Sequence, residues 1–153
     1  MKQTRYTILD EPTGETYRDL LRYSLNFCDT FLLVVRRSIQ VAATAQEVLD
    51  RLTAFQLSRT EESEWPGTQL LDESATVYRF KWCDESFALL ERFSKGLFSW
   101  KQPELPEDLC LIRTDGSPWL VIIAHERDSY LELSADEKID LVAHLPGIKL
   151  GGL

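Results

Sequence analysis

Residues 125–128 bring together the side chains best suited to chemistry: His125, Glu126, Arg127 and Asp128. An imidazole next to carboxylates can hold a divalent metal or transfer protons at neutral pH. A helical zinc site, however, requires histidines four positions apart, and position 129 is a serine. We therefore predict a polar hairpin turn at residues 125–128, and we expect no metal ion there.

Motifs for nucleophilic catalysis and for cofactor binding are absent from the sequence. No serine lies in a GxSxG turn, and neither GxGxxG nor a Walker sequence occurs. The three cysteines lack CxxC spacing: Cys28 is predicted on the apolar face of the first helix, Cys83 at a strand–helix junction and Cys110 in a strand. Buried thiols act as small hydrophobic groups. We expect no catalytic residue and no cofactor.

The charge of the chain is distributed unevenly. Residues 1–57 carry seven basic and seven acidic side chains, so the whole net charge of −8 lies in residues 58–153. Such a surface repels nucleic acids and attracts basic proteins. No run of about 20 apolar residues suggests a membrane span, and no signal peptide is evident. With an odd number of cysteines, the sequence predicts a cytoplasmic protein without nucleic-acid or membrane partners.

An acidic segment beside a tryptophan is the best candidate for a docking surface. Glu61, Glu62 and Glu64 precede Trp65, which adjoins a proline-containing turn, as Trp119 also does. A tryptophan at such a position either seals the edge of a core through its indole N–H or anchors an interface. We predict that these five residues contact a protein partner, with a solvated acidic loop as the alternative.

Hydrophobic periodicity predicts the elements of the first half. A strand at residues 6–9 is followed by a helix with Tyr17 and Leu20 on its apolar face, and the continuous apolar run at residues 31–35 is typical of a strand covered on both faces. Thr44 and Glu47 have capping-box spacing and are expected to open a second helix that extends to Phe55. Residues 58–74 show no period and are interpreted as an acidic loop.

The second half begins with an alternating pattern. Tyr78, Phe80 and Trp82 point to one side of a half-buried strand, and Asp84 is a plausible N-cap for a helix that reaches Leu97. Three short strands then form a meander at residues 109–113, 119–124 and 130–133. Ser134 and Glu137 repeat the capping-box spacing before a final helix, and the glycines near the C-terminus indicate a frayed tail.

This order, β-α-β-α-β-α-β-β-β-α, predicts a single α+β domain over residues 1–153. Helical connections early and hairpins late favour a mixed, mainly antiparallel sheet of five to six strands with about four helices.

Residues 64–133 carry a resemblance. The segments EWPGT at residues 64–68, LPEDL at 105–109 and DGSPWL at 115–120, with HE at 125–126, resemble small bacterial proteins of unknown function, chiefly from Gram-positive species. That likeness implies a bacterial cytoplasmic source. The LPEDL element is also similar to the SUKH group of immunity-type proteins, although the early β-α-β-α order departs from their pattern.

These observations favour a non-enzymatic, acidic protein-binding module, of which immunity against a basic toxin is one concrete form. The alternative is a small enzyme or ligand-binding protein with a pocket formed by His125, Glu126, Asp128 and Trp119. A third hypothesis is a homodimer that assembles through a sheet edge.

Overall fold

In the computed structural model, which describes residues 2–152, the apolar run at residues 31–35 lies in an interior strand of an eight-stranded sheet, the third strand from one edge. Phe31 and Leu33 are buried on one face of this strand, and Leu32 and Val34 are buried on the other. The prediction of a strand covered on both faces is therefore confirmed. Its continuous apolar character follows from that double burial.

Residues 2–152 form ten strands and four α-helices. The strands are β1 (Thr4–Ile8), β2 (Cys28–Arg36), β3 (Gln56–Glu62), β4 (Glu64–Trp65), β5 (Thr68–Gln69), β6 (Ala75–Lys81), β7 (Glu107–Arg113), β8 (Pro118–Ile123), β9 (Asp128–Leu133) and β10 (Leu150–Gly151). The helices are α1 (Gly14–Ser24), α2 (Ala43–Leu52), α3 (Asp84–Phe93) and α4 (Ala135–His144). Within this part of the chain, no helix has the length and apolar character that a membrane crossing requires.

The main sheet has the order β10-β1-β9-β8-β7-β2-β6-β3, and its described strand pairs are antiparallel. The α+β class is confirmed, but the sheet has more strands than the five or six predicted. β10 forms where we expected a frayed tail, and residues 58–74 contain most of β3 and the β4–β5 hairpin instead of an irregular loop. β3 escaped prediction because its residues are mostly exposed on both faces, so no apolar period of two arises.

The two faces of the sheet are covered differently. The helices bury the larger core on one face, with Leu20 of α1, Val48 of α2, Leu90 of α3 and Leu141 of α4 as members. The β4–β5 hairpin covers part of the other face, where Trp65 packs in a smaller core. The hairpin therefore shields part of this face of the sheet from solvent.

Helix starts were predicted with mixed success. The Ser134–Glu137 capping box is present, since each side chain accepts a hydrogen bond from the backbone N–H of the other residue. The box at Thr44 and Glu47 is wrong: the N-cap of α2 is Ala42, two residues earlier, and the Thr44 hydroxyl instead donates to the Glu104 carbonyl at 2.6 Å. This acceptor is distant in the chain, so the local spacing of residues could not predict the hydrogen bond.

Other boundaries shift by a few residues. Helix α3 is capped by Cys83 and not by Asp84, and Cys28 lies in β2, four residues beyond the end of α1. Phe55 and Leu97 lie in short 3-10 turns that follow α2 and α3. Amphipathic spacing continues through these turns, which is why it overestimates the helix lengths.

Two tryptophans, Trp82 and Trp100, seal the helical core through their indole N–H groups. The Trp82 indole N–H donates to the Ser24 hydroxyl, and that of Trp100 donates to the Tyr17 hydroxyl, both at 2.8 Å. Burial raises the pKa of Tyr17 to about 12, so this phenol remains protonated at neutral pH.

Candidate functional site

The main concentration of buried charge lies at one end of the sheet. β2 ends there with Arg36, β7 begins there with Glu107 and Asp108, and His125 follows the end of β8. Antiparallel neighbours alternate in direction, so the end of β2 and the end of β8 flank the start of β7. We call these four residues, with Gln102 and Trp65, the polar cluster.

Glu107 is the centre of the polar cluster. Its side chain is fully buried, and Oε1 accepts hydrogen bonds from the Gln102 backbone N–H at 2.9 Å and from His125 Nε2 at 2.5 Å. Its Oε2 atom lies 3.5 Å from Nε of Arg36, and neither of those two atoms has a hydrogen-bond partner among the described residues. The His125 side chain is 38% exposed. A buried carboxylate therefore orients an imidazole that reaches the surface.

Asp108 joins two parts of the fold. It is buried, and its carboxylate accepts from the Trp65 indole N–H at 3.1 Å and from the Ala124 backbone N–H at 3.0 Å. The Arg36 guanidinium lies 3.9 Å from Oδ2 of Asp108 and 5.6 Å from the centre of the Trp65 ring. These bonds fix the β4–β5 hairpin to the end of β8.

Gln102 holds the remaining side of the polar cluster. Its Oε1 atom accepts the Arg36 backbone N–H at 2.7 Å, and its amide nitrogen donates to the carbonyls of Arg36 and Ile39 at 3.2 and 3.1 Å. The turn that leaves β2 is therefore tied to the segment that enters β7. Most polar atoms of the cluster bond to neighbouring protein groups, which is the requirement for burying charge without a large penalty.

Chemically, the polar cluster offers one carboxylate–imidazole pair. Such a pair can hold a histidine in the orientation of a general base. The geometry does not offer a metal site: across the part of the chain that the structure describes, no three His, Cys, Asp or Glu side chains are placed to bind one ion together. Two of the three thiols are unsuited to nucleophilic attack, since burial raises the pKa of Cys28 to about 12 and raises that of Cys110 well above its usual value.

The four residues of the predicted pocket do not surround one space. Trp119 is fully buried near the start of β8, where it stacks on Phe27 with 6.2 Å between ring centres. His125 follows the other end of that strand, roughly 13 Å of strand further on at ~3.3 Å per residue. Glu126 is exposed, and the Asp128 carboxylate accepts the Ser129 backbone N–H at 2.9 Å. The tight turn between β8 and β9 comprises residues 124–127, so it overlaps the predicted residues 125–128, and Asp128 begins β9 opposite Ile123.

The predicted docking residues also have different environments. Glu61 lies 2.9 Å from Arg37 and accepts the Thr76 hydroxyl, while Glu62 accepts from Arg79 at 2.8 Å. The hydrogen bond from Thr76 holds the pKa of Glu61 below its ordinary value, and the one from Arg79 does the same for Glu62. Both charges are therefore engaged within the protein. Glu64 is exposed and forms no ion pair with any residue in 2–152.

Neither tryptophan of the predicted docking surface is exposed. Trp65 is 5% exposed and Trp119 is fully buried. Trp65 turns inward because its indole N–H has Asp108 as a buried acceptor, and Trp119 does so because two aromatic rings, Tyr23 and Phe27, pack against it. The expectation of exposed aromatic anchors is corrected accordingly.

Sequence reasoning missed Arg36, Glu107 and Asp108 as parts of a site. The sequence did contain a signal, namely two adjacent acidic residues at the start of an apolar strand. Such residues either point to solvent or are buried. Spacing alone could not identify their partners, which come from positions 36, 65, 102 and 125. The EWPGT, LPEDL and HE segments on which the resemblance rests all contribute to the polar cluster.

Comparison of the chain with known protein families, with curated proteins and with solved structures found no match. Geometry and charge are thus the basis for a functional proposal.

Proposed function

We propose that the protein is a non-enzymatic acidic protein-binding module whose partner is basic. The observation that supports this most directly is Leu71, whose side chain is 83% exposed in the segment between β5 and β6. Asp72 and Glu73 follow it, and Glu64 lies on the neighbouring hairpin. We call Glu64, Leu71, Asp72 and Glu73 the docking segment. An apolar side chain among carboxylates suits a partner with an apolar pocket and a basic rim.

The docking segment keeps its charge available. None of its three carboxylates forms an ion pair with a described residue, in contrast to Glu61 and Glu62. The net charge of −8 adds a long-range field of the same sign. Opposite charges accelerate encounter with a basic partner, and salt screens this effect beyond about 10 Å at 0.1 M.

The hairpin that carries Glu64 is held rigidly. Trp65 is bonded to Asp108, and the Leu70 backbone N–H donates to the Ser63 carbonyl at 2.7 Å. Gly67 adopts a φ of +90° and packs so closely on β8 that a Cβ atom there would lie 2.7 Å from Val121 Cγ1. In this proposal the polar cluster is a support that fixes the docking segment before a partner arrives, which lowers the entropic cost of binding.

Immunity against a basic toxin is one concrete form of the proposal. A protein of this kind would act by covering the basic surface through which the toxin engages its target. Speed of association matters for such a role, and electrostatic steering supplies it.

The test is affinity capture from a lysate of the producing cells with three versions of the full chain. Glu64→Lys/Glu73→Lys removes the acidic rim, and Glu104→Lys/Glu126→Lys makes the same change in net charge elsewhere. We expect a partner that the wild type and the second variant retain and the first variant loses. Binding kinetics should then show a reduced on-rate for the first variant, and Leu71→Ser should mainly raise the off-rate.

Equal loss of the partner with both charge variants would mean that only net charge matters. Salt-independent association with no effect of either change would contradict docking at this segment, and the segment would then serve solubility alone.

A small enzyme or ligand-binding protein is the second candidate, and the Glu107–His125 pair is the observation that favours it. A hydrolytic role predicts turnover of chromogenic esters or phosphoesters that Glu107→Gln and His125→Gln both abolish. Turnover that survives both substitutions, or none in the wild type, would remove this candidate.

A further inference from the structure

We infer that the protein forms a symmetric homodimer through the edge strand β3, with Arg59 of each copy opposite Glu61 of the other. This inference concerns self-association and does not depend on the proposed function. It needs no partner other than a second copy of the chain.

β3 presents an open edge. It is the last strand of the main sheet and is hydrogen-bonded to β6 on one side, and within residues 2–152 no strand pairs with its other side. Its residues are mostly exposed, so outward-facing backbone N–H and C=O groups meet solvent. The opposite edge, β10, has only two residues. β3 is therefore the edge with enough length to pair with another strand.

The pleat restricts how two copies of β3 can pair. Residues opposite each other on antiparallel strands lie on the same face of the sheet. A twofold axis perpendicular to the sheet must then lie midway between the two copies of one residue, which we call the centre of the register. In the other arrangement each residue would lie opposite its chain neighbour in the second copy, whose side chain points to the other face. For the regular part of β3, residues 58–62, the possible centres are Arg59, Thr60 and Glu61.

Charge selects one of these three registers. Centring on Arg59 places two arginines opposite each other, and centring on Glu61 does the same with two glutamates. Centring on Thr60 places Arg59 opposite Glu61 of the second copy twice, by symmetry. Opposite charges directly across strands are stabilising, and like charges are destabilising. The strand is complementary to itself in this register alone.

Both side chains are able to make the new contact. Arg59 forms no ion pair with a described residue, and its guanidinium lies 5.3 Å from the centre of the Tyr78 ring. Glu61 contacts Arg37 and accepts the Thr76 hydroxyl, but its side chain is 44% exposed and its carboxylate has acceptor sites for a further donor. A second arginine can therefore join Glu61 from solvent. Charged residues commonly keep edge strands apart, whereas here their signs and spacing favour pairing.

The first experiment is sedimentation equilibrium of the full chain over roughly a thousandfold range of concentration. We expect a monomer–dimer equilibrium for the wild type. In the Arg59→Glu variant glutamates face each other across the two strands, and in the Glu61→Arg variant arginines do. Each substitution should raise the dimer dissociation constant roughly tenfold or more. An equimolar mixture of the two variants should form a heterodimer, and the double variant should dimerise again.

A cross-linking experiment tests the register itself. In a Cys83→Ser background, Thr60→Cys would place two thiols opposite each other, with Cβ atoms about 5 Å apart. Ser58→Cys is the matched control, because its two copies would be separated by about 13 Å along the strand. Oxidation should link the first variant into a covalent dimer and leave the second monomeric.

A wild type that stays monomeric at every concentration overturns the inference. A dimer that ignores the charge changes, or that Ser58→Cys links better than Thr60→Cys, overturns the interface. Circular dichroism of each variant establishes that it is folded before it is compared. Since all measurements use the protein alone, failure here leaves the proposed docking segment untouched.

Discussion

The indole N–H of Trp65 donates to Oδ2 of Asp108 at 3.1 Å, although 43 positions separate the two residues in the chain. Asp108 also accepts the Ala124 backbone N–H, so one carboxylate connects the β4–β5 hairpin, the start of β7 and the end of β8. The hairpin has only two short strands, which would be marginally stable alone. Its position over the sheet therefore depends on this bond and on the burial of Trp65.

We expect Trp65→Phe to reduce the free energy of unfolding by about 1–3 kcal/mol, because a buried carboxylate oxygen loses its donor. Urea denaturation of the variant, of Asp108→Asn and of the double variant measures the coupling. The double variant should be less damaged than the sum of the single changes by at least about 0.5 kcal/mol. Strict additivity would show that the hydrogen bond contributes nothing.

Leu33→Ala should cost about 2–5 kcal/mol, since it removes a fully buried side chain from an interior strand and leaves a cavity. The matched control is Leu71→Ala, which removes the same atoms from an exposed side chain and should change stability by less than about 0.5 kcal/mol. Chemical denaturation of both variants provides the comparison. A similar effect for the two would contradict the burial of Leu33 in β2.

The Arg113–Glu137 ion pair should make stability depend on acid pH. Burial tends to raise the pKa of Glu137, but bonds from Arg113, at 2.8 and 3.0 Å, and from Ser134 outweigh it and hold that pKa below its ordinary value of 4.5. The unfolded state therefore takes up the proton first, and the stabilisation present above pH 4.5 decreases as the pH falls through the folded pKa.

Replacing Glu137 with Gln should cost roughly 1–2 kcal/mol near neutral pH, and the difference from the wild type should shrink below pH 4.5. Thermal or urea unfolding across that range measures it. Glu104→Gln, at an exposed glutamate, is the control and should change the free energy of unfolding near neutral pH by less than about 0.5 kcal/mol. A constant difference at all pH values for Glu137→Gln would contradict the ionic origin of the effect.

Addition of Zn²⁺, Mn²⁺ or Ca²⁺ should leave the melting temperature unchanged, because within residues 2–152 no three suitable side chains converge on one point. A specific site would instead stabilise the fold by about 2.7 kcal/mol at a hundredfold excess over the dissociation constant. Differential scanning fluorimetry with each ion is sufficient. A saturable rise that His125→Ala eliminates would contradict this prediction and favour the enzyme candidate over the binding module.

Local patterns were enough to predict elements whose stabilising contacts lie close in sequence. The strand around Leu33 is marked by its own apolar run, and the start of α4 by Ser134 and Glu137, which bond to each other three positions apart. The turn after β8, which lies one residue earlier than the predicted 125–128, and the alternating strand through Phe80 were predicted for the same reason. In each case the residues that form the element also contain the sequence pattern that predicts it.

Tertiary structure decided the rest, because the partners are distant in the chain. β3 is a strand only because β6 pairs with it, and its polar side chains carry no period. Trp65 looks like an exposed anchor until Asp108, 43 residues away, provides a buried acceptor. Glu107 likewise acquires its environment from positions 36, 102 and 125. Burial of a polar group requires a matching donor or acceptor, and the sheet order, which no local pattern encodes, determines where that group lies.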